Sequence, residues 1–300
     1  MTMTSSSRST RFFDKRSYLP DRKTPATNVA FRPTFGSAMT QSTEPITHSS
    51  AGSCTQPIAP HPPLQQYYKE AGARQGFVNA LFNRTAYQYR NIEKAAGFGS
   101  GLWYRRKALQ QAGLRPGMRV LDVACGPGLV SEGALNIVGS SGSVIGLDPS
   151  TGMLREAQKG PCRNLVRAVG ERLPFSDQCF DFVSMGYALR HVPDLLNAFT
   201  EYRRVLKPGG IVLLLEVSRP RSAVLLTLSR FYIKTVLGAA FSLATGNRDM
   251  RTLMGYWWDT TEQCVPPEQI LGTLRAAGFA GCTLKEFGNG ILRDYRAVKT

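Results

Sequence analysis

Two aspartates and two glycines form the clearest chemical pattern in this chain. Asp122 falls within the apolar run Val120 to Val123, Gly126 and Gly128 follow, and a second apolar run, Val144 to Leu147, ends on Asp148. A buried strand leading into a glycine-rich turn, then a strand tipped by an acid, is how an open parallel sheet builds a nucleotide cradle at the carboxyl ends of its strands. A dinucleotide site wants a third glycine so that the helix can start against a pyrophosphate. Ser131 stands at that position.

Asp122 argues in the same direction, because a carboxylate just before the glycines opposes a ligand phosphate and favours a ligand ammonium. S-adenosylmethionine has such an ammonium and no phosphate. Gly126 and Gly128 would permit close backbone approach to its adenosyl group. Asp148, twenty positions past Gly128, would accept from both ribose hydroxyls. A plain strand-to-helix turn explains the glycines equally well; Asp148 in register with them favours the nucleotide.

The elements that must hold these residues alternate as strand and helix. Strands are expected at 119–123, 144–147, 164–169, 180–185 and 211–217, and helices at 130–138, from Pro149-Ser150 through Leu154, at 194–205 and at 267–277. A closing hairpin is expected to turn at Gly288-Asn289-Gly290. The alternation implies right-handed crossovers and an α/β three-layer sandwich. Residues 1–62 are Ser/Thr/Pro-rich and read as a disordered extension, with Met39 as an alternative start and an organelle transit peptide the weaker alternative because Asp14 and Asp21 interrupt it. Residues 63–300 form the folded domain. Within it, 63–115 is an aromatic-rich helical cap over the ligand crevice, or simple core packing. Residues 219–262 break the strand-helix rhythm. The run 223–244 is largely apolar but carries Arg230 and Lys234, a poor membrane span. It reads either as an amphipathic lid over a greasy substrate that touches a bilayer surface, or as an ordinary buried helix.

Composition narrows the classes. With 42% hydrophobic and 19% charged residues the chain can bury a sizeable core. The net charge of +16 attracts nucleic acid or anionic membrane, yet an arginine-rich surface without a partner gives the same arithmetic. Six cysteines, Cys54, Cys125, Cys162, Cys179, Cys264 and Cys282, are scattered with no C-x-x-C pair. They argue against a zinc site and fit reduced thiols in a cytosol-like compartment.

The segment R-V-L-K-P-G-G-I-V-L-L-L-E-V-S, Arg204 to Ser218, is similar throughout to the signature of the UbiE-type ubiquinone/menaquinone biosynthesis C-methyltransferases, and Y-A-L-R-H, Tyr187 to His191, resembles that family's F-G-L-R-N. The resemblance spans roughly 82–299. It implies a class I S-adenosylmethionine-dependent methyltransferase fold: a Rossmann-like, mostly parallel seven-stranded sheet whose last strand is antiparallel. Carried over, Asp122, Gly126 and Gly128 face the methionine end and Asp148 the ribose. Gly170 keeps a backbone contact beside the adenine, where Val169 replaces the family's Asp or Asn. Gly186 replaces a family serine at the fourth strand's end. Ala124, Met153 and Glu171 complete the candidate cofactor contacts. Of the amino-terminal signature Y-D-x-M-N with a following histidine and tryptophan, Tyr89 and Trp103 remain, Arg90 stands at the Asp position and the histidine is missing.

These residues imply methyl transfer from a sulfonium to a hydrophobic phenol or quinol, in which positioning supplies much of the acceleration. Carbon methylation also requires the phenol to lose its proton. The resemblance gives Arg190 the part of stabilising the phenolate. His191, at the family's asparagine position, could take the proton itself, or could merely sit in the loop before Asp194 caps the next helix. Tyr89, Trp103 and Tyr187 are candidate pocket walls. A nucleic-acid methyltransferase would explain the charge, but Gly186-Tyr187-Ala188-Leu189 stands where base-amino enzymes carry an Asp/Asn-Pro-Pro-aromatic run, and Pro161-Cys162 is misplaced for cytosine-carbon chemistry. Methylation of a secondary metabolite, and a cofactor-binding protein without turnover, are the other classes.

Overall fold

A computed structural model describes residues 58–96 and 101–300. The expected extension up to residue 57, with Met39, Cys54 and the acids at 14 and 21, lies outside the described residues. Its expected end at 62 needs correction, because residues 58–62 are held in place. Leu195 donates its N–H to Ile58 O (2.9 Å) and Val265 to Pro60 O (2.7 Å). His61 is buried and meets Arg74 Nη2 through Nε2 at 2.9 Å.

Two helices, α1 (Arg74–Ala96) and α2 (Gly101–Ala112), precede the sheet. The alternating part then runs β1 (Arg119–Val123), α3 (Leu129–Val138), β2 (Ser143–Leu147), α4 (Thr151–Ala157), β3 (Leu165–Val166), β4 (Phe180–Gly186), α5 (Leu195–Val205) and β5 (Leu206–Val217). After the insertion come α9 (Pro267–Ala276), β6 (Phe279–Phe287) and β7 (Leu292–Lys299). The strand order is β3-β2-β1-β4-β5-β7-β6; β1 to β5 are parallel and β7 runs antiparallel to both β5 and β6. The order reverses between β1 and β4, so the crevice for a ligand opens at those two strand tips. β3 is shorter than the expected 164–169 because only Leu165 and Val166 pair with β2 before the chain turns away at the sheet edge.

The three layers follow from period-two alternation on strands buried on both faces. Leu121, Val183 and Leu214 pack with Phe199, Ile270 and Leu274 of α5 and α9. Their neighbours Val120, Phe182, Leu213 and Leu215 point the other way, onto Leu109, Val130 and Ala134 of α2 and α3. Caps fix the helix starts at the crevice: Ser150 accepts from Met153 N, and Asp194 from Leu196 N and Asn197 N.

The insertion is one helical run, α6 (Ala223–Arg230), a π-turn (Phe231–Leu237) and α7 (Gly238–Thr245), followed by α8 (Asp249–Glu262). The run is long and apolar enough to cross a membrane by length and composition, yet 17% of its most apolar window is buried. That excludes the ordinary buried helix. Val224, Leu228, Phe231, Val236 and Leu243 are exposed. The π-turn brings Lys234 to Asp259 of α8 (2.7 Å), which also accepts from Tyr67 Oη and Gln66 Nε2. With α1 and α8 the π-turn builds a separate cluster around Val78, Leu81, Ile233, Met254 and Trp258.

Truncating Phe199, fully enclosed between sheet and α9, should cost about 3–5 kcal/mol of unfolding free energy, whereas Val224→Ala should change it by less than about 0.5 kcal/mol. Urea titration of both variants checks this, and equal effects would contradict the layer assignment.

Candidate active site

A cleft of about 930 Å³, counted to its open mouth, lies over the tips of β1 and β4. Its floor is the loop after β1. Ala124 (φ 51°), Gly126 (φ 55°) and Gly128 (φ 87°) take the left-handed backbone region, which costs a non-glycine residue about 1 kcal/mol or more. Gly126 N donates to Asp148 Oδ2 (2.9 Å) and Ser150 N to Asp148 Oδ1 (2.8 Å). Each carboxylate oxygen keeps a lone pair for a further donor, as two ribose hydroxyls would supply. Burial pushes the Asp148 pKa up to about 6 against those two hydrogen bonds. Met153, Gly170 and Glu171 extend this half of the cleft toward β3.

Asp122 has a different place from the expected one. Its carboxylate is fully buried, does not line the cleft, and accepts from Ser131 Oγ (2.5 Å) and Ser184 Oγ (2.8 Å). Ser184 is its register partner across β1 and β4. Enclosed in the sheet behind the cleft wall and held by two hydroxyls, this carboxylate braces the glycine loop and does not face the space open to a ligand ammonium. Its pKa is raised to about 6, by burial. Ser131, the residue that disqualified a dinucleotide, is thus half of this brace. Gly128 also stands off the cleft, as the residue before α3, with its N–H on Cys125 O.

The other half of the cleft is walled by the cap. Val78, Phe82, Tyr89 and Glu93 of α1, Arg105 of α2, and Gly186, Tyr187 and His191 after β4 line it. A Cβ on Gly186 would lie 2.6 Å from Val130 Cγ2, so the family serine does not fit here. Tyr187 (φ 60°) is held in the left-handed region with its N–H on Leu215 O (2.7 Å). Arg105 stacks its guanidinium 4.7 Å over the Tyr187 ring and bonds Glu93 Oε2 at 2.6 Å. Burial raises Glu93 above the ordinary carboxylate range and also holds Tyr89 and Tyr187 protonated.

His191 packs edge-on against Phe82 (5.1 Å) and stacks on Tyr256 (5.5 Å). Its Nε2 is buried without a partner among the described residues. Burial, and then Arg190 and Arg74, push its pKa well below 6.5. The ring is therefore neutral, and two nearby guanidiniums oppose its taking a proton. Arg190 is fully enclosed and does not line the cleft; it pairs with Glu216 of β5 and lies 5.0 Å over the Trp257 ring. Breaking such a pair costs about 3–5 kcal/mol, so Arg190 is bound into the core behind His191.

Trp103 does not join the pocket. It is 65% exposed with Lys107 Nζ 4.8 Å over its ring, because its side of α2 faces away from the sheet. Nor does the insertion roof the cleft: its contribution is Tyr256 and Trp257, stacked behind His191 and Arg190. Sequence reasoning missed Glu93 and Arg105. Glu93 had a signal, since it lies four residues after Tyr89 on one helix face, whereas Arg105 comes from a second helix whose docking no local pattern encodes. No group of three metal-ligating side chains occurs among the described residues.

The Asp148 environment predicts that affinity for S-adenosylhomocysteine is full above pH about 6 and falls as pH drops through that value, because protonation removes an acceptor of ribose hydroxyls. Calorimetry between pH 5 and 8 tests this; a flat affinity in the unaltered chain, or the same slope in Asp148→Asn, would contradict it.

The ubiE/COQ5 methyltransferase family matches residues 68–299. A demethylmenaquinone methyltransferase of Staphylococcus aureus (strain MRSA252) is 31% identical over 228 residues, covering 74% of this chain and 92% of that protein. The crystal structure of a SAM-dependent methyltransferase from Thermotoga maritima superposes with a TM-score of 0.52 at 20% identity, covering 74% of this chain and 99% of that one, which supports the fold. The Asp148 cradle and the left-handed loop fit S-adenosyl-L-methionine. This chain belongs to the ubiE/COQ5 methyltransferase family and is an S-adenosyl-L-methionine-dependent methyltransferase.

Proposed function

We propose that the acceptor is a hydrophobic phenol or quinol methylated on a ring carbon, as in quinone biosynthesis. The observation that carries this reading is the cap half of the cleft: Val78, Phe82, Leu129 and Val130 make it apolar, Tyr89 and Tyr187 supply flat aromatic walls, and Glu93–Arg105 is the charged pair among them. A planar ring with one or two hydroxyls suits that lining. The named activity of the Staphylococcus aureus relative supports the same class.

When bound, the donor supplies an electrophilic methyl on a sulfonium. Asp148 orients the ribose, the loop braced by Asp122 fixes the depth of the donor, and the apolar cap excludes water that would solvate the nucleophile. Arg74, Arg105 and Arg190 place guanidiniums on the acceptor side, two of them offset by Glu93 and Glu216, and a guanidinium favours phenolate over phenol. Arg190 acts there through its charge from behind His191 and does not touch the acceptor.

The exposed apolar face of α6 and α7 gives a prenylated acceptor its route. Leu228 and Phe231 are 60% and 59% exposed, and Arg219, Arg248 and Arg251, all exposed, flank the run. This combination suits peripheral docking on an anionic bilayer from a cytoplasmic compartment. Methylation of a non-quinone phenol is the second reading. Arg90, at the place of the signature's Asp, favours it, because its guanidinium is committed to Pro127 O (2.8 Å) in the glycine loop.

The test is incubation of the full chain with the donor and a prenylated demethylnaphthoquinol held in anionic vesicles under reducing conditions. The expected product carries one added methyl on a ring carbon, and the paired change Leu228→Asp, Phe231→Asp slows the vesicle reaction while sparing a soluble short-chain quinol. A product methylated on oxygen would support the second reading, and no methylation by donor-competent protein would refute both.

A further inference from the structure

We propose that Glu93 is the general base that removes the acceptor's hydroxyl proton, and that Arg105 holds the resulting oxyanion. This rests on the phenol or quinol reading above.

Three carboxylates line the cleft: Glu93, Asp148 and Glu171. Asp148 is committed at the ribose cradle by two backbone N–H groups, and Glu171 follows Gly170 in the turn after β3, with the carboxylate of Asp194 as well as Arg74 near it. Glu93 stands on the cap, and Arg105 links it to Tyr187 at the tip of β4. That tip is one side of the switch point where the sheet order reverses, so the pair faces the place where donor and acceptor meet. Arg105 is 5% exposed and its Nε is a buried donor with no partner among the described residues. Arg105 lines the cleft, so its guanidinium charge stands beside a phenolate oxygen bound there.

The other groups nearby are poorer bases. A proton on His191 would sit beside Arg190 and Arg74, Tyr89 and Tyr187 are held protonated, and Arg190 lies off the cleft. Glu93 is surrounded by Arg105 from α2, Arg90 from its own helix, Arg190 from the turn after β4, and the phenols of Tyr89 and Tyr187. Burial lifts its pKa above the ordinary range and so makes it a stronger base, while the arginines oppose that rise by favouring its charged form.

The step balances as follows. Glu93 takes the O–H proton as the ring carbon's electron pair forms the new bond to the methyl group, and the pair of the broken carbon–sulfur bond stays on sulfur. The ring then loses its C–H proton to water, and Glu93 returns its proton to the oxygen as aromaticity is restored. One proton is released to solvent for each methyl transferred.

The experiment compares the unaltered chain with Glu93→Gln and Glu93→Asp, measuring kcat on a soluble demethylated quinol across pH 5 to 9 and donor-product affinity by calorimetry. Glu93→Gln keeps an acceptor for Arg105; its kcat should fall about 100-fold with donor affinity changed less than about twofold, and the rise of kcat with pH should disappear. Glu93→Asp should keep the pH-dependent rise at reduced kcat, which a purely structural role would not require. A phenol acidic enough to be ionised at the assay pH should narrow the gap between Glu93→Gln and the unaltered chain. Activity of Glu93→Gln within about threefold of the unaltered chain, with the same pH profile, overturns the proposal and leaves the quinol reading intact. Failure of the unaltered chain to methylate any phenol or quinol while it binds donor product overturns both.

Discussion

The active cleft depends on burying a charged carboxylate, Asp148, at the tip of β2. Taking an ionised group out of water is costly unless hydrogen bonds replace the lost hydration. Here two backbone N–H groups do so from two separate elements, the loop after β1 and the start of α4. Those donors are in place because Ala124 and Gly126 accept left-handed backbone and Ser150 caps α4.

Asp122 and Asp148 look equivalent along the chain and differ in space. Both sit at carboxyl ends of parallel strands, both are buried, and both are pushed up to about 6 by that burial. Asp122 spends its oxygens on Ser131 and Ser184 inside the sheet, tying β1 to α3 and β4, and so shapes the loop that Asp148 engages. One aspartate is a structural brace and the other faces the cleft. The acceptor side repeats this division: Arg190 with Glu216 forms a closed pair in the core, while Arg105 with Glu93 borders open space.

Much of the architecture is legible in the chain because parallel strands buried on both faces leave long apolar runs, and Asp148, Ser150 and Asp194 mark the ends that point to the crevice. What depends on one nearby sequence window was readable: the glycine loop, the cradle and the closing hairpin. What depends on docking between distant segments was not. The resemblance places Trp103 in the pocket, but the rotation of α2 turns it to solvent and turns Arg105 inward instead. The apolar run 223–244 gives no hint of its π-turn, since the turn is set by where Lys234 meets Asp259 across the insertion. Likewise Ile58 and Pro60 lie in a stretch that is polar and proline-rich by composition, and are held by single backbone bonds to α5 and to the segment before α9.

The most direct measurement of this arrangement is a crystal structure of the full chain with S-adenosylhomocysteine. The account predicts ribose hydroxyls on Asp148, no contact between the ligand ammonium and Asp122, and the sulfur turned toward Tyr187 and the Glu93–Arg105 pair. A ligand whose ribose lies away from Asp148, or whose sulfur faces Glu171 and β3, would contradict it.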